Sequence, residues 1–546
     1  MMDLFELVGG PTPHPRSRIA LSRRQPGAPF VETTYGDLWQ RAQRVANLLG
    51  SPAETPAFLP ILAGKSADSI ACLLAAMATG RTFCVLNPKY RAPQIAAVLE
   101  ATHAPLCAVD GTGLLALRGA LRDHPRMART RWLLLDAGCL ARPAAETAAE
   151  LRTVAPVLDL DSAPSTTDVR RAGCRDVDPQ AAAACLFTSG STGQPKGVLI
   201  SAADLRQRTA AEIDWFGLSH RDVLLSILPL SFDVGLNQLL TALTVGAELV
   251  LLDSWLPVDI LAAAEQRHVT GISAVPAIWQ DMMQSGARFD RRDRHTALRY
   301  VTISGGSLSR AQLERLPEVV DGADIFKTYG QTEAFRSTSL RPADFVRKRD
   351  SVGTPFPGVH VYVVHDDATR CAPGEAGEVV HTGLGTMLGY LGAGGQPDPN
   401  DKVRPNPFVG PDDPSPLAVF TGDTGHLDAD GYLHLTGRRD SMLKILGNRV
   451  YPQEVTAQVL SLPGIRDAVV VGVPRPDGQT ALVAFLVPAA PGEPTAGTVR
   501  KLLNARLPAY MVPREFVFVD RIPRTATGKA DPHTLVATYA SGAAHP

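Results

Sequence analysis

The sequence is poor in lysine. Its 54 cationic side chains include only nine Lys, at positions 65, 89, 196, 327, 348, 402, 444, 501 and 529, so nearly all positive charge is carried by Arg. A chain that builds its charge from Arg invites the question of where Lys is retained. A surplus of either sign is also missing. The 54 basic residues meet 55 acidic ones, for a formal charge of −1. That balance excludes a generic nucleic-acid binder, whose surface must neutralise phosphates, and a polybasic membrane-surface protein. No stretch of about 18 uncharged apolar residues occurs, so no membrane span is expected. The nearest candidate, residues 70–86, is broken by Gly80 and Arg81 and reads as a buried helix followed by a strand. The first residues, MMDLFELVGG, have no basic region before an apolar stretch, and no secretory signal is expected. Cysteines stand at 72, 84, 107, 139, 174, 185 and 371 without a C-x-x-C pair. Scattered in this way they exclude a zinc site or a disulfide framework and suit buried thiols of a cytoplasmic protein.

What remains is a long, globular chain. At 546 residues it exceeds one ordinary core, so at least two domains are expected. From 222 to 330, short apolar runs (DVLLSILPL, AELVLLD, GISAVP, RYVTISGG, ADIFKTYG) alternate with helix-like pieces such as LPVDILAAAEQRHV and LSRAQLERL. Strands alternating with helices predict an α/β fold, with parallel sheets covered by helices and ligand contacts at the strand ends. The stretch 391–416 turns to Gly, Pro, Asp and Asn and reads as a surface loop. After Gly437 the pattern changes again. DAVVVGVP, ALVAFLVP and REFVFVDRIP are strand-like, with VRKLLNARL helical between the last two. The expectation is a large N-terminal domain, 1–438, and a small mobile α+β C-terminal domain, 439–546, ending in a disordered tail.

The strongest local signal is LFTSGSTGQPKGV at 186–198, where an apolar strand runs into a loop of Thr, Ser, Gly and one Lys. Glycines let backbone N–H groups approach an anion, hydroxyls add donors, and Lys supplies a mobile point charge. The physical reading is a triphosphate cradle. It is not a Walker A loop, because the order is Pro-Lys-Gly and no G-K-[ST] ending is present. GLGTMLG at 383–389 has the wrong spacing for a dinucleotide fingerprint and reads as a turn.

TSGSTGQPKG resembles the phosphate loop of the adenylate-forming superfamily, which includes acyl-CoA synthetases, adenylation domains of nonribosomal peptide synthetases and luciferases. Four further segments resemble the same family in the expected order. They are YGQTEA (329–334), TGDTGHLDADGYLHLTGRRD (421–440), LKILGNRVYPQEV (443–455) and PRTATGKAD (523–531). The resemblance implies attack of a carboxylate on the α-phosphorus of ATP, giving acyl-AMP and pyrophosphate, and then attack of a thiol that expels AMP. Bringing an anion to a polyanion requires fixed donors, cations and Mg²⁺.

The resemblance also implies the roles of individual residues. Thr188, Ser189, Ser191, Thr192 and Lys196, with Gly190 and Gly193, would hold the β- and γ-phosphates. Thr332 would contact the α-phosphate, and Glu333 would ligate Mg²⁺ as a hard oxygen donor. Tyr329 would stack on adenine, with Gly305 and Gly306 letting backbone pass close to the purine. Asp423 would accept the ribose hydroxyls and Arg438 would reach ribose or phosphate. Lys529 would bridge the substrate carboxylate and the α-phosphate. Asp440 would be the hinge of a rotation that replaces the Lys529 face by a thiolation loop carrying Lys444 and Gly447.

For the acid, LPLSFDVGLNQLL (228–240) matches the start of the family's acyl pocket. Asp233 directly follows Phe232, the place where amino-acid-activating members pair a carboxylate with the substrate ammonium. Alternatively Asp233 bonds backbone N–H groups. Val234, Asn237, Ser273, Thr302, Ser304, Thr328, Arg336 and Ser337 match the rest of the lining, a polar set unlike a fatty-acyl tunnel. Arg336 could meet a second carboxylate of the substrate, or Asp233 and Arg336 could pair with each other. The favoured substrate is a small amino acid or β-amino acid. Nothing after Lys529 can hold a carrier domain, so the expected acceptor is the phosphopantetheine of a separate carrier protein, with free coenzyme A as the alternative. A non-catalytic scaffold has no need of Lys196, Glu333, Asp423 and Lys529 together, and the absence of kinase motifs disfavours a phosphotransferase. Three of the nine lysines fall in these segments, which predicts that Lys196→Arg and Lys529→Arg both impair adenylation although charge is kept.

Overall fold

The computed structural model describes residues 15–24, 29–50, 57–121, 123–136, 138, 140–160, 178–189, 195–289, 297–398, 402–439, 443–445, 448–475, 480–490, 493–525 and 528–540. Two nine-stranded sheets dominate it. In the first, Val223–Ser226, Glu248–Leu251, Gly271–Ala274, Tyr300–Ile303 and Asp324–Tyr329 run parallel. These are the five apolar runs of 222–330, each trimmed to its buried centre. The helices Asp233–Val245, Pro257–Arg267, Pro276–Ser285 and Arg310–Val320 connect them. Thr338–Leu340 then adds antiparallel beyond Asp324–Tyr329.

The second sheet holds Phe58–Leu62 and Thr82–Val85 in parallel and continues to Ala182–Ser189, which pairs antiparallel with Pro195–Ser201. The stretch 70–86 resolves as expected into a helix, Ala67–Ala78, and the strand Thr82–Val85, both buried. Ser66 starts that helix by accepting the Ser69 N–H while Ser69 Oγ accepts the Ser66 N–H, a reciprocal cap that satisfies two otherwise orphan donors. Cys72, Cys84, Cys107 and Cys185 are free buried thiols and Cys371 is a free, half-buried one. Cys139 and Cys174 lie outside the described residues. No described helix is long and apolar enough to cross a membrane.

The sequence reading did not single out the third sheet. Val359–Val364, Gly377–Gly383, Leu417–Leu427 and Val403–Pro405 pair antiparallel, and Leu433–Arg438 pairs with Leu417–Leu427. The 391–416 stretch is not all loop either. It contributes Val403–Pro405 to this sheet and Pro397–Asp398 to the edge of the second. Short edge strands tolerate the Pro and Asp that argued for a loop.

Toward the C-terminus, Ile465–Pro474, Thr480–Pro488 and Glu515–Phe518 form a three-stranded sheet with the helices Pro452–Leu460 and Ala496–Asn504. The strand-like and helix-like runs after Gly437 are found where expected. A core including Val455, Val459, Leu482, Ala484, Leu486, Val499 and Leu503 belongs to this unit. It touches the larger part of the chain near the site. Arg524 Nη2 donates to Gln280 Oε1 at 2.9 Å and to Asp467 Oδ2 at 2.6 Å. Gly528 (φ +81°) is so close to Trp255 that a Cβ there would lie 3.0 Å from the indole ring, so a side chain at 528 would push the two units apart.

Candidate active site

The glycine-rich loop leaves one antiparallel strand and enters the next. Thr188 lies opposite Lys196, and its Oγ1 is 3.5 Å from the Lys196 carbonyl oxygen. Ser189 ends the first strand; Gly190, Ser191, Thr192 and Gly193 lie outside the described residues. Lys196 is exposed, with Nζ 5.5 Å from the centre of the Tyr390 ring. Tyr390 sits on Gly389–Leu391, which pairs with Pro195–Ser201, and its hydroxyl donates to Glu333 Oε1 at 2.6 Å. Lys402 Nζ donates to the same oxygen at 3.2 Å and reaches Gln331 Oε1 at 3.4 Å. One aromatic ring thus joins the loop lysine to the carboxylate expected to hold Mg²⁺. Burial opposes charge on Glu333, but Lys402 and the Tyr390 hydroxyl outweigh it and hold the carboxyl below its ordinary range. Neither Tyr390 nor Lys402 was anticipated. The scarcity of Lys was the one available pointer to Lys402.

Asp423 and Arg438 face each other across paired strands. Asp423 Oδ2 accepts from the Tyr329 hydroxyl at 2.6 Å and from Gln331 Nε2, while Oδ1 accepts from Arg438 Nη1 at 3.3 Å. Burial first, and then the Asp423 carboxylate, push the Tyr329 phenol well above its ordinary pKa, so it remains a donor. After Tyr329 the chain folds back sharply. A Cβ on Gly330 would sit 1.5 Å from the Phe335 carbonyl oxygen, so this position must be glycine. Phe335 itself has a φ of +25°, a strained value for an aromatic residue. The fold-back brings Thr332, Glu333 and Arg336 to the end of the Asp324–Tyr329 strand. Gly305 (φ +77°) makes the corresponding turn after Tyr300–Ile303, and Gly306 beside it is exposed.

Between these strand ends lies a small cavity of about 50 Å³. Asp233, Val234, Ser304, Gly305, Thr328, Tyr329, Thr332 and Arg336 line it, and so does Lys529 from the C-terminal unit. Residues expected to contact ATP and residues expected to contact the acid therefore share one space. Ser304 Oγ and Thr328 Oγ1 hydrogen bond to each other at 2.6 Å. Asp233 is buried at the N-terminus of its helix, where Oδ1 accepts the Val234 N–H at 2.8 Å. Burial raises its pKa, against the opposing pull of that N–H, Arg208, Lys529 and Arg336.

Four expected lining residues do not border the cavity. Asn237 is fully buried behind it and donates to Glu212. Thr302 is fully buried, and its carbonyl accepts from Trp279 Nε1 at 3.1 Å. Ser273 lies on the neighbouring strand and pairs with Thr302 in register. Ser337 Oγ is held by His381 Nδ1 at 3.1 Å. The suggested pairing of Asp233 with Arg336 is not formed. Arg336 instead makes an ion pair with Glu212, a residue of the Ala202–Phe216 helix that the sequence reading did not select. Arg208, one turn earlier on that helix, is also buried, 3.9 Å from Asp204 Oδ2. Asp440 and Gly447 lie outside the described residues. Lys444 falls on Leu443–Ile445, which pairs with Asn448–Val450.

Residues 12–391 match the model of the AMP-binding enzyme family, and residues 454–529 match the model of the AMP-binding enzyme C-terminal domain. The novobiocin biosynthesis protein H of Streptomyces niveus is 30% identical over 543 residues, covering 95% of this chain and 82% of that one. The dimodular nonribosomal peptide synthase of Bacillus subtilis (strain 168) is 28% identical over 518 residues, 93% of this chain. The indoleacetate–CoA ligase of Aromatoleum aromaticum (strain DSM 19018 / LMG 30748 / EbN1) is 34% identical over 357 residues, 65% of this chain and 66% of that one. The chain spans 20% of the length of the Bacillus synthase and 34% of an isonitrile lipopeptide synthase of Streptomyces coeruleorubidus. Among solved structures, ATP-bound MatB from Rhodopseudomonas palustris superposes with a TM-score of 0.78 at 22% identity, over 98% of this chain and 99% of that one. The chain belongs to the AMP-binding enzyme family, within the adenylate-forming superfamily.

Proposed function

Starting from that membership, we propose that the protein is an AMP-forming acid–thiol ligase. It activates a small carboxylic acid, in the favoured reading an amino acid or β-amino acid, as its acyl-AMP with release of pyrophosphate. The acyl group then passes to the phosphopantetheine thiol of a separate carrier protein. The observation that carries the reading is the shared cavity, in which Lys529 meets Thr332 and Tyr329 on one side and Asp233 on the other.

Each charge in that arrangement has a use in the first half-reaction. The Lys529 ammonium offsets the repulsion between the incoming carboxylate and the α-phosphate, where Thr332 adds a hydroxyl donor. Lys196, exposed at the strand edge, offers a slim point charge to the outer phosphates. Asp423 receives the ribose hydroxyls while Arg438 and Tyr329 fix its orientation. Glu333 suits Mg²⁺: it is a hard oxygen donor held ionised and already placed beside one cation, Lys402. A bound Mg²⁺ would neutralise polyphosphate charge there. Asp233 uses one oxygen on its own helix terminus and borders the cavity, which suits a substrate ammonium. Transfer to coenzyme A is the second reading, favoured by the likeness to an indoleacetate–CoA ligase.

ATP–pyrophosphate exchange, screened over amino acids, β-amino acids, aryl acids and fatty acids, tests the proposal. Exchange with one class of amine-bearing acid is expected. Exchange with none of them, while other acids respond, removes the role of Asp233. Supplying the activated acid with a carrier protein or with coenzyme A then separates the two acceptors.

A further inference from the structure

Behind the cavity wall, the Ala202–Phe216 helix carries three charged residues spaced four apart on one face: Asp204, half-buried, and Arg208 and Glu212, both buried. Arg208 is 1% exposed and Arg336 4% exposed. Rings of Phe216, Phe335 and Phe356 surround the Arg336 guanidinium at 5.4, 5.5 and 5.6 Å, so it cannot swing away. Arg336 borders the cavity, and Glu212 lies beyond it and does not. Glu212 binds Arg336 with one oxygen and accepts from Asn237 with the other. Yet Nε and Nη1 of Arg336, and Nε and Nη2 of Arg208, have no hydrogen-bond partner among the described residues. A buried, unmatched guanidinium N–H is costly, and the cost falls when a ligand supplies an acceptor.

The charge count decides what kind of acceptor. The two guanidiniums are already faced by three carboxylates, Asp204, Glu212 and Asp233. A substrate ammonium on Asp233 balances them. With Lys529 matched to the acid's reacting carboxylate, a second substrate carboxylate would leave the pocket with an uncompensated negative charge beside the buried Glu212 and Asp233. We propose that Glu212 is a specificity-determining residue: by neutralising Arg336 it leaves N–H donors without free positive charge, so the pocket takes acids whose far end is an uncharged acceptor, such as a carboxamide, ketone or hydroxyl, and rejects those with a second carboxylate. This replaces the expectation that Arg336 receives a second carboxylate, and it rests on the acid-activation reading above.

The test uses matched acids that differ only at the far end: asparagine and aspartate, glutamine and glutamate, succinamate and succinate. In pyrophosphate exchange the uncharged member of the responding pair is expected to exceed the carboxylate roughly tenfold or more in kcat/KM. Glu212→Gln keeps shape and the Asn237 contact while freeing the charge on Arg336. It should move that ratio toward the carboxylate by a similar factor. A merely structural role would lower both members together. Calorimetric binding of the same pairs, without turnover, gives a second reading. Pairs that bind with the expected ratio but support no exchange overturn the ligase reading and leave this one standing. A ratio unchanged by Glu212→Gln, a wild-type preference for the dicarboxylate, or a pocket that binds neither member of any pair overturns this one.

Discussion

The two halves of the site handle charge differently. On the ATP side each acid is held by groups that can change partner. Glu333 is held by Lys402 and Tyr390, and Asp423 by Arg438, Gln331 and Tyr329. Lys402 and Arg438 are half-buried, so nucleotide or metal can replace them at small cost. On the acid side the charges are sealed. Arg208, Glu212, Asp233 and Arg336 are all buried, and their pairing is fixed by packing before any substrate arrives. Charge that can exchange partners suits a common, highly charged co-substrate. Charge that cannot suits discrimination between similar small molecules, because a mismatched group inside finds no water to compensate it.

Lys529 lines the cavity that the two halves share, so its removal should have the largest effect. Lys529→Ala is expected to slow pyrophosphate exchange by roughly a thousandfold or more, the scale on which loss of a transition-state charge partner is felt. The variant should melt like the wild type, because Lys529 is exposed at the cavity edge. Exchange left intact would remove Lys529 from the chemistry. Lys529→Arg should also be impaired, since a broad planar fork does not replace a slim ammonium in about 50 Å³.

The sealed half should show itself next, in stability. His381 lies behind the acid pocket with Nδ1 on Ser337 and Nε2 2.9 Å from the Leu384 carbonyl, and burial lowers its pKa to about 4. The unfolded chain takes up this proton near the ordinary value of about 6.5. Between those values the unfolded state binds more protons, so stability falls as pH drops from 6.5 to 4, by up to about 3 kcal/mol. Denaturant melts of the wild type across that window should show the slope, and His381→Asn should flatten it. An unchanged slope would place the titrating group elsewhere.

Asp233→Asn tests the sealed half from the substrate side. Exchange with an amine-bearing acid should fall roughly a hundredfold, mostly in KM, while an acid of the same size without the amine should lose little. Equal losses for both would assign Asp233 to its helix terminus and not to the substrate.

The same contrast explains what could be read from the sequence. The ATP half is built from contiguous segments whose spacing survives in one dimension: 186–198, 329–334 and 421–440. Asp423 and Arg438, fifteen residues apart, meet because a hairpin folds them together. The acid half is assembled from the Ala202–Phe216 and Asp233–Val245 helices and the fold-back after Tyr329, so Glu212 and Arg336 meet across more than a hundred residues. An Asp-Arg-Glu pattern at helical spacing reads as a solvated face until the fold shows that face to be inside. Tyr390 escaped because it comes from a strand of only three residues, set between a stretch that reads as a turn and one that reads as a loop. The five central strands were legible because parallel, doubly covered strands are nearly all apolar. The third sheet was not, because its strands alternate buried and half-exposed residues among many turn formers.

Tyr390→Phe should have the smallest effect and says most about how the exchangeable half is tuned. The change removes one hydrogen bond to Glu333 and leaves the ring under Lys196 in place. Without that donor, burial counts for more and the Glu333 carboxyl rises toward its ordinary pKa, with Lys402 still opposing. Glu333 must be ionised to hold a divalent cation, so the acid limb of the exchange rate should move to higher pH. At neutral pH the loss should be no more than a few-fold, and raising Mg²⁺ should recover part of it. An acid limb that stays in place would mean that Lys402 alone keeps Glu333 charged, with Tyr390 serving only as the surface on which Lys196 rests.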